Sequence, residues 1–358
     1  MSNIEKLHKE WQSLQPLKRE LQHRMDQQFM FDFNYNSNHL EGNTLTYGQT
    51  KMLLLFGRVE GDGLMRDFEE MKAHNVGLEL MKREAQDKER LLSENFIREL
   101  NSIILAGDFY KTGRNGEYRY KIHTGVYKTR PNSVITLSGE EFDYASPEET
   151  PALMKDLVLW YQEEEVKQNL SVIELATLFH YRYIRIHPFE DGNGRIARLL
   201  VNYILVRHGY PMIVISAADR KNYLDVLNKC DETTGKIPSD GAFATIEQIN
   251  PFVDYIFKII EKKLMFAIQL ANGKIKEIVE TDEQNVGVNV GVNVGVSDYI
   301  IEHIKAKPNV TVSELSELLQ KNTRTIERHL KNLREQGKIS RVGSDKTGYW
   351  KISIIPHF

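Results

Sequence analysis

Twelve consecutive uncharged residues, Asn285 to Val296, spell NVGV three times. Valine alternating with asparagine or glycine has the two-residue period of a strand, yet glycine weakens a strand and nothing in the repeat can fill a core. The stretch reads as a linker, or else as an edge strand that pairs with a neighbour and, being uncharged, risks aggregation. Either way no single core runs through it, and the 358 residues divide into a long body and a short tail.

The body is patterned for helices. Apolar residues recur at three- and four-residue spacing over 4–30, 47–58, 64–85, 90–105, 150–165, 171–186, 193–207, 220–229 and 252–278. Between Gly113 and Ser146 the pattern gives way to Tyr, Thr, Val, Gly and Pro, ending in a Ser138-Gly139 turn signal. That is an extended, hairpin-like insertion in a helical protein. Cys230 is the sole cysteine, so an internal disulfide and a thiolate metal cluster are excluded. No apolar run approaches the ~18 residues of a membrane span. The polar start, Met1 to Lys6, lacks the apolar stretch of a secretory signal. The expected setting is a reducing cytoplasm, without membrane contact.

One string carries the chemistry: His187-Pro188-Phe189-Glu190-Asp191-Gly192-Asn193-Gly194-Arg195-Ile196-Ala197-Arg198. Pro188 disfavours helix for the residue before it and so ends the apolar segment Ile173–Ile186. A Gly-Asn-Gly turn then opens a new helix at about Arg195. Amides at such a turn point outward together and form an anion nest. Arg195 and Arg198, one turn apart, share a side of the helix. Asp191 beside the nest can hold Mg2+, and His187, expected to titrate near neutrality, can take a proton. Nest, two cations, metal carboxylate and base suit attack on a nucleotide phosphate.

The string resembles the signature of the Fic family, H-x-F-x-[D/E]-G-N-G-R-x-x-R, at every specified position, and the likeness extends over roughly Gln28 to Leu270. The resemblance implies a mostly α fold, a helical bundle with a β-hairpin flap. It also implies transfer of AMP from Mg-ATP to a Ser, Thr or Tyr hydroxyl of a protein, itself included. His187 would deprotonate the hydroxyl and Asp191 would bind Mg2+ bridging the α- and β-phosphates. Gly192, Asn193 and Gly194 would hold the phosphates, with Arg195 and Arg198 on the β and γ groups. The kinase-like branch of the family carries lysine where Gly194 stands, which favours nucleotidyl over phosphoryl transfer. Ser133–Phe142, including Ser138 and Gly139, occupies the place of the target-positioning flap. Arg220–Asp231, especially Tyr223 and Asp231, aligns with the region that approaches the nucleoside.

Upstream, Ser37 and Glu41 are helical i, i+4 neighbours ahead of Gly42, which reads as a helix stop. Ser37-Asn38-His39-Leu40-Glu41-Gly42 is similar to the family's inhibitory motif, [S/T]-x-x-x-E-[G/N]. By that resemblance Glu41 pairs with Arg198 and denies it to the γ-phosphate. The same glutamate can instead align a water for AMP removal.

From Ser297 onward, 11 Lys/Arg stand against 7 Asp/Glu in a chain of net charge −3, which leaves about −7 on the rest. Residues 297–353 read as three helices and a hairpin. Thr311-Val312-Ser313-Glu314 is a capping box. On the helix from Thr323 to about Gln336, Ile326, Leu330 and Leu333 form one stripe and Arg324, Arg328 and Lys331 another. That is the pattern of a winged helix-turn-helix with a basic DNA-reading face.

The expected organisation is a helical region with the inhibitory motif over 1–110, a catalytic core over 111–278, a linker over 279–296 and a winged-helix domain over 297–358. Alternatives are a nucleotide-sensing DNA-binding regulator with little turnover, an AMP-removing hydrolase, and a toxin held by a separate antitoxin. A homo-oligomer is left open.

Overall fold

The computed structural model describes residues 3–59, 62–112, 119–135, 141–235, 237–275, 300–301, 303–304, 307–319, 323–335, 338–343 and 348–352. The chain forms two compact units, Met1–Glu280 and Thr281–Phe358. The NVGV repeat, with the rest of 276–299, lies outside the described residues.

The larger unit contains α1 (Asn3–Ser13), α2 (Arg19–His39), α3 (Tyr47–Phe56), α4 (Met65–Gln86) and α5 (Glu94–Ile104). Two antiparallel hairpins follow, β1 (Phe109–Thr112) with β2 (Arg119–Ile122), and β3 (Ser133–Ile135) with β4 (Glu141–Asp143). The chain then continues through α6 (Thr150–Lys167), α7 (Val172–Ile186), α8 (Asn193–Arg207), α9 (Arg220–Thr234) and α10 (Asn250–Ala271).

The single segment expected over 4–30 is a correction: it is two helices. Pro16 lacks an N–H and restricts its predecessor, so α1 stops at Ser13 and α2 starts at Arg19. From there α2 runs to His39, past the end of the apolar pattern, because its last turns bury Asn34, Ser37 and Asn38 instead. Every residue of α8 except Gly194 and Val206 is buried, as an axis wrapped by other helices requires. One hydrophobic core runs from Ile4 on α1 to Ile268 on α10, so the region before residue 110 and the region after it share an interior.

In the smaller unit, residues 300–301 and 303–304 are helical, followed by α11 (Val312–Leu319), α12 (Thr323–Glu335) and the antiparallel pair β5 (Ile339–Val342) and β6 (Tyr349–Ile352). The capping box forms: Glu314 N donates to Thr311 Oγ1 at 3.2 Å and Thr311 N to Glu314 Oε2 at 2.8 Å. Ile300, Ile304, Leu315, Ile326, Leu330, Leu333 and Trp350 make a separate core. These helices and the hairpin give the expected winged arrangement.

Two histidines lie deep in the larger unit. His180 Nε2 is 2.9 Å from the Tyr223 hydroxyl, and His74 Nδ1 is 2.7 Å from Asn34 Oδ1. Burial, reinforced by the Arg198 cation, pushes His180 down to about 3 from its ordinary 6.5. Burial, then Arg195 and Arg198, holds His74 well below its ordinary value. Both are neutral when folded and take up protons when unfolded below about pH 6.5. Their stabilisation is therefore complete above that pH and is lost progressively as pH falls below it, for His180 down to about 3. For His180 the loss at about pH 5 is on the order of 2 kcal/mol. Thermal melts should show the larger unit's midpoint falling between pH 7.5 and 5, with a shallower fall in His180→Asn. A flat midpoint would contradict this.

Candidate active site

The α7–α8 junction presents the motif. His187 caps α7 in the left-handed region (φ +50°), its N–H donating to Tyr183 O at 2.9 Å. Gly192, at φ +82°, is the N-cap of α8, a backbone position that suits glycine. The first intrahelical bond of α8 is Ile196 N to Gly192 O at 3.0 Å. The amides of Asn193, Gly194 and Arg195 precede it and point out of the helix end, the arrangement that receives an anion.

Side chains from distant segments fasten the loop. Asn193 Nδ2 donates to Phe189 O at 2.7 Å while its Oδ1 accepts from Phe189 N at 3.0 Å. Asn101 on α5 donates to Asp191 O at 2.9 Å. Asn132 donates to Phe189 O at 2.9 Å. Lys128 Nζ, almost wholly buried, donates to Ile186 O at 3.0 Å and to Asn132 Oδ1 at 2.8 Å.

The His187 ring stacks on Tyr144 at 3.8 Å, and its Nδ1 faces Ile184 O at 3.4 Å. A proton on Nδ1 suits that carbonyl and leaves Nε2 as the acceptor. Burial, then the Lys128 ammonium, pushes His187 down to about 3. The expectation that it titrates near neutrality is thereby corrected: it is a neutral imidazole throughout the physiological range.

Asp191 Oδ2 meets Lys111 Nζ at 2.6 Å, and Oδ1 accepts from Gly192 N at 2.6 Å and Arg195 Nη2 at 3.3 Å. Burial alone would raise this carboxyl, but Lys111 and Arg195 outweigh it and hold the group below its usual range. Arg195, itself buried, also faces Glu70 Oε2 at 3.5 Å, and Glu70 Oε1 pairs with Arg66 at 2.7 Å. Among the described residues no cluster of three His, Cys, Asp or Glu side chains can hold a metal.

Arg198 is 3% exposed. Its Nε donates to Ser37 Oγ at 3.0 Å, and its Nη2 to Ser37 O at 2.8 Å and Glu41 Oε1 at 2.7 Å. The structure thus brings Ser37, Glu41 and Arg198 together. A Cβ added at Gly194 would fall on Glu41 Oε1, so any larger residue there would push the carboxylate from its present position.

The two residues expected on the nucleoside side frame α7 against α9. Tyr223 is buried, its hydroxyl on His180, within an aromatic group that includes Phe252 and Tyr255; burial pushes it up to about 12. Asp231 Oδ1 accepts from Tyr181 at 2.6 Å and from the buried Arg185 at 2.9 Å. Ser138 and Gly139 lie outside the described residues, although the flanking pair Val134 and Phe142 is in hairpin register. In the smaller unit Arg324, Arg328 and Lys331 are exposed on α12, away from buried Ile326, Leu330 and Leu333. Lys111, Lys128, Asn132, Tyr144, Asn101 and Glu70 were not anticipated. Four lie in or beside the extended insertion, where no periodicity marks a polar residue as inward-facing.

Residues 91–205 match the Fic/DOC family and residues 300–340 the winged helix-turn-helix DNA-binding family. The chain is 30% identical over 243 residues to the protein adenylyltransferase fic-1 of Caenorhabditis elegans, covering 67% of this chain and 42% of that protein. It spans less than half the length of the curated relatives it matches. A solved structure of Fic-1 from the same organism is 25% identical, with a TM-score of 0.57, over 76% of this chain and 72% of that one. A Fic domain-containing signaling protein of Bacteroides thetaiotaomicron is 58% identical, with a TM-score of 0.72, over 77% of this chain and 100% of that one. A likeness that takes in that whole neighbour, with a matching motif seated where two helices meet, makes this chain a member of the Fic family.

Proposed function

We propose that the chain is a protein adenylyltransferase, transferring AMP from Mg-ATP to a serine, threonine or tyrosine hydroxyl of a protein target, itself included, under restraint by Glu41. The activity named for the curated relatives supports the reaction class. The observation that carries the reading is the meeting of a neutral imidazole, an open helix N-terminus and two buried arginines at the α7–α8 junction.

The triphosphate lies against the amides of Asn193, Gly194 and Arg195, with Arg195 and Arg198 on its β and γ groups. Asp191 fits Mg2+: the Lys111 ammonium on Oδ2 marks where that carboxylate faces a cation. Mg2+ usually takes only one or two carboxylates beside phosphates and water. When bound, the ion neutralises phosphate oxygens. His187 Nε2 takes the proton of the target hydroxyl as its oxygen attacks the α-phosphorus. The bond from that phosphorus to the bridging oxygen breaks in line, and pyrophosphate leaves. Positioning and charge supply most of the acceleration. While Glu41 holds Arg198, the γ-phosphate lacks that guanidinium and ATP sits in a pose unsuited to attack.

With α-labelled ATP and Mg2+, Glu41→Gly should label protein about 10- to 100-fold faster than the wild type, the worth of one charge-assisted hydrogen bond. Adding His187→Ala should lower labelling about 10²- to 10⁴-fold, the usual contribution of a general base. Equal labelling by Glu41→Gly and the wild type contradicts the restraint; label surviving His187→Ala contradicts the base.

For the smaller unit we infer duplex DNA binding through Arg324, Arg328 and Lys331, supported by the family match and by their common exposed face. Three neutralised phosphates give a log–log salt slope of about −3. Arg324→Ala/Arg328→Ala should reduce its magnitude by about 2. Affinity indifferent to salt would instead point to a protein docked on α12.

A further inference from the structure

The tie between Glu41 and Arg198 is useful as a restraint only if the turn carrying Glu41 is itself held. That turn, residues 40–43, follows the last turn of α2. Towards α4, Asn43 Nδ2 donates to Asp67 O at 3.0 Å and Thr44 N to Asp67 Oδ2 at 2.9 Å. Towards α9, two further hydrogen bonds reach the same end of α2. Ala217 N donates to Asn36 Oδ1 at 2.8 Å, and Arg220 Nε donates to Leu40 O at 3.2 Å.

The second bond has the more direct consequence. Leu40 O is one of the last carbonyls of α2, which have no partner within the helix, and it belongs to the peptide whose nitrogen is that of Glu41. The other side of that peptide is fixed as well, since Glu41 N donates to Asn38 O at 3.0 Å. With both polar atoms of the Leu40–Glu41 peptide engaged, the direction in which the glutamate leaves the chain is set. A guanidinium at a helix C-terminus is also favoured by the helix dipole. Arg220 is exposed to solvent, whereas Arg198, at the far end of the contact, is buried.

We propose that Arg220 is a positioning residue for the restraint: by holding Leu40 O from the start of α9 it keeps Glu41 on Arg198, and its loss frees the glutamate without touching the base, the phosphate nest or Arg198. This rests on the reading that Glu41 restrains AMP transfer. It also makes the first turn of α9 a surface point from which the enzyme can be switched on.

The test is a four-way comparison of label transfer from ATP in the full chain: wild type, Arg220→Gln, Glu41→Gly and Arg220→Gln/Glu41→Gly, with Arg220→Lys as the conservative variant. Arg220→Gln should raise labelling about fivefold over the wild type, the loss of one solvent-accessible hydrogen bond of ordinary strength. In the Glu41→Gly background the same substitution should give no further rise, and Arg220→Lys should keep most of the restraint. Melting midpoints of Arg220→Gln and Arg220→Lys should match the wild type, and that of the double variant should match Glu41→Gly, since the Arg220 side chain is exposed. Activation by Glu41→Gly with none by Arg220→Gln overturns the role of Arg220 alone. Equal loss of labelling in both backgrounds also overturns it, since Arg220 would then serve the reaction or the fold. No activation by Glu41→Gly removes the restraint and this proposal with it.

Discussion

A guanidinium as deeply buried as that of Arg198 needs oxygens around it, because an unpaired charge in that position costs several kcal/mol. The folded chain supplies them from α2 and the turn that follows it: the hydroxyl and carbonyl of Ser37 and the carboxylate of Glu41. Of these only Glu41 brings a negative charge, and its side chain remains partly exposed. On the proposed reading that anion is exchangeable: a γ-phosphate and Glu41 would be alternatives there, and the balance between them would decide whether a bound nucleotide is placed for transfer. Gly194 would belong to both sides of this competition: it lies in the turn proposed to receive phosphate, and Glu41 Oε1 occupies the space a Cβ there would take.

The rest of the junction keeps polar groups rigid where they would otherwise be wet. The loop between α7 and α8 carries few regular backbone bonds, so amides from α5 and the hairpin region, together with the buried Lys128, close it. The same lysine and the same burial that hold the loop keep His187 uncharged. In the proposed reaction a base that is neutral at rest needs no proton removed before it acts, and negative charge arriving with a polyphosphate would favour its protonated form and so strengthen it as an acceptor. Asp191 is arranged in the opposite sense: its cationic neighbours outweigh burial and keep it ionised.

Much of this was legible in the sequence because it depends on local rules. Pro188 and the two glycines place a helix end and a helix start within a few residues, and the structure has α7 and α8 there. Thr311 and Glu314 specify a cap that forms as written. Ser37 on the last turn of α2 and Glu41 in the turn after it both meet Arg198, the pairing their motif suggested. What stayed hidden depends on long-range pairing. Nothing in the local pattern says that Lys111 reaches Asp191, that Tyr144 covers His187, or that Asn101 holds Asp191 O, ninety residues along the chain. The expected titration of His187 near neutrality failed for the same reason, since burial is a property of the assembled helices. The break at Pro16 was legible and was overridden by the apolar periodicity on either side of it.

The most direct test of the competition at Arg198 is the ratio of ATP to ADP affinity, measured by calorimetry with Mg2+ on the wild type and on Glu41→Gly. If Glu41 and the γ-phosphate exclude one another, the wild type gains little from the third phosphate, whereas Glu41→Gly binds ATP about tenfold or more tightly than ADP, as one recovered charge-assisted contact implies. The same ATP-to-ADP ratio in both proteins would contradict the account.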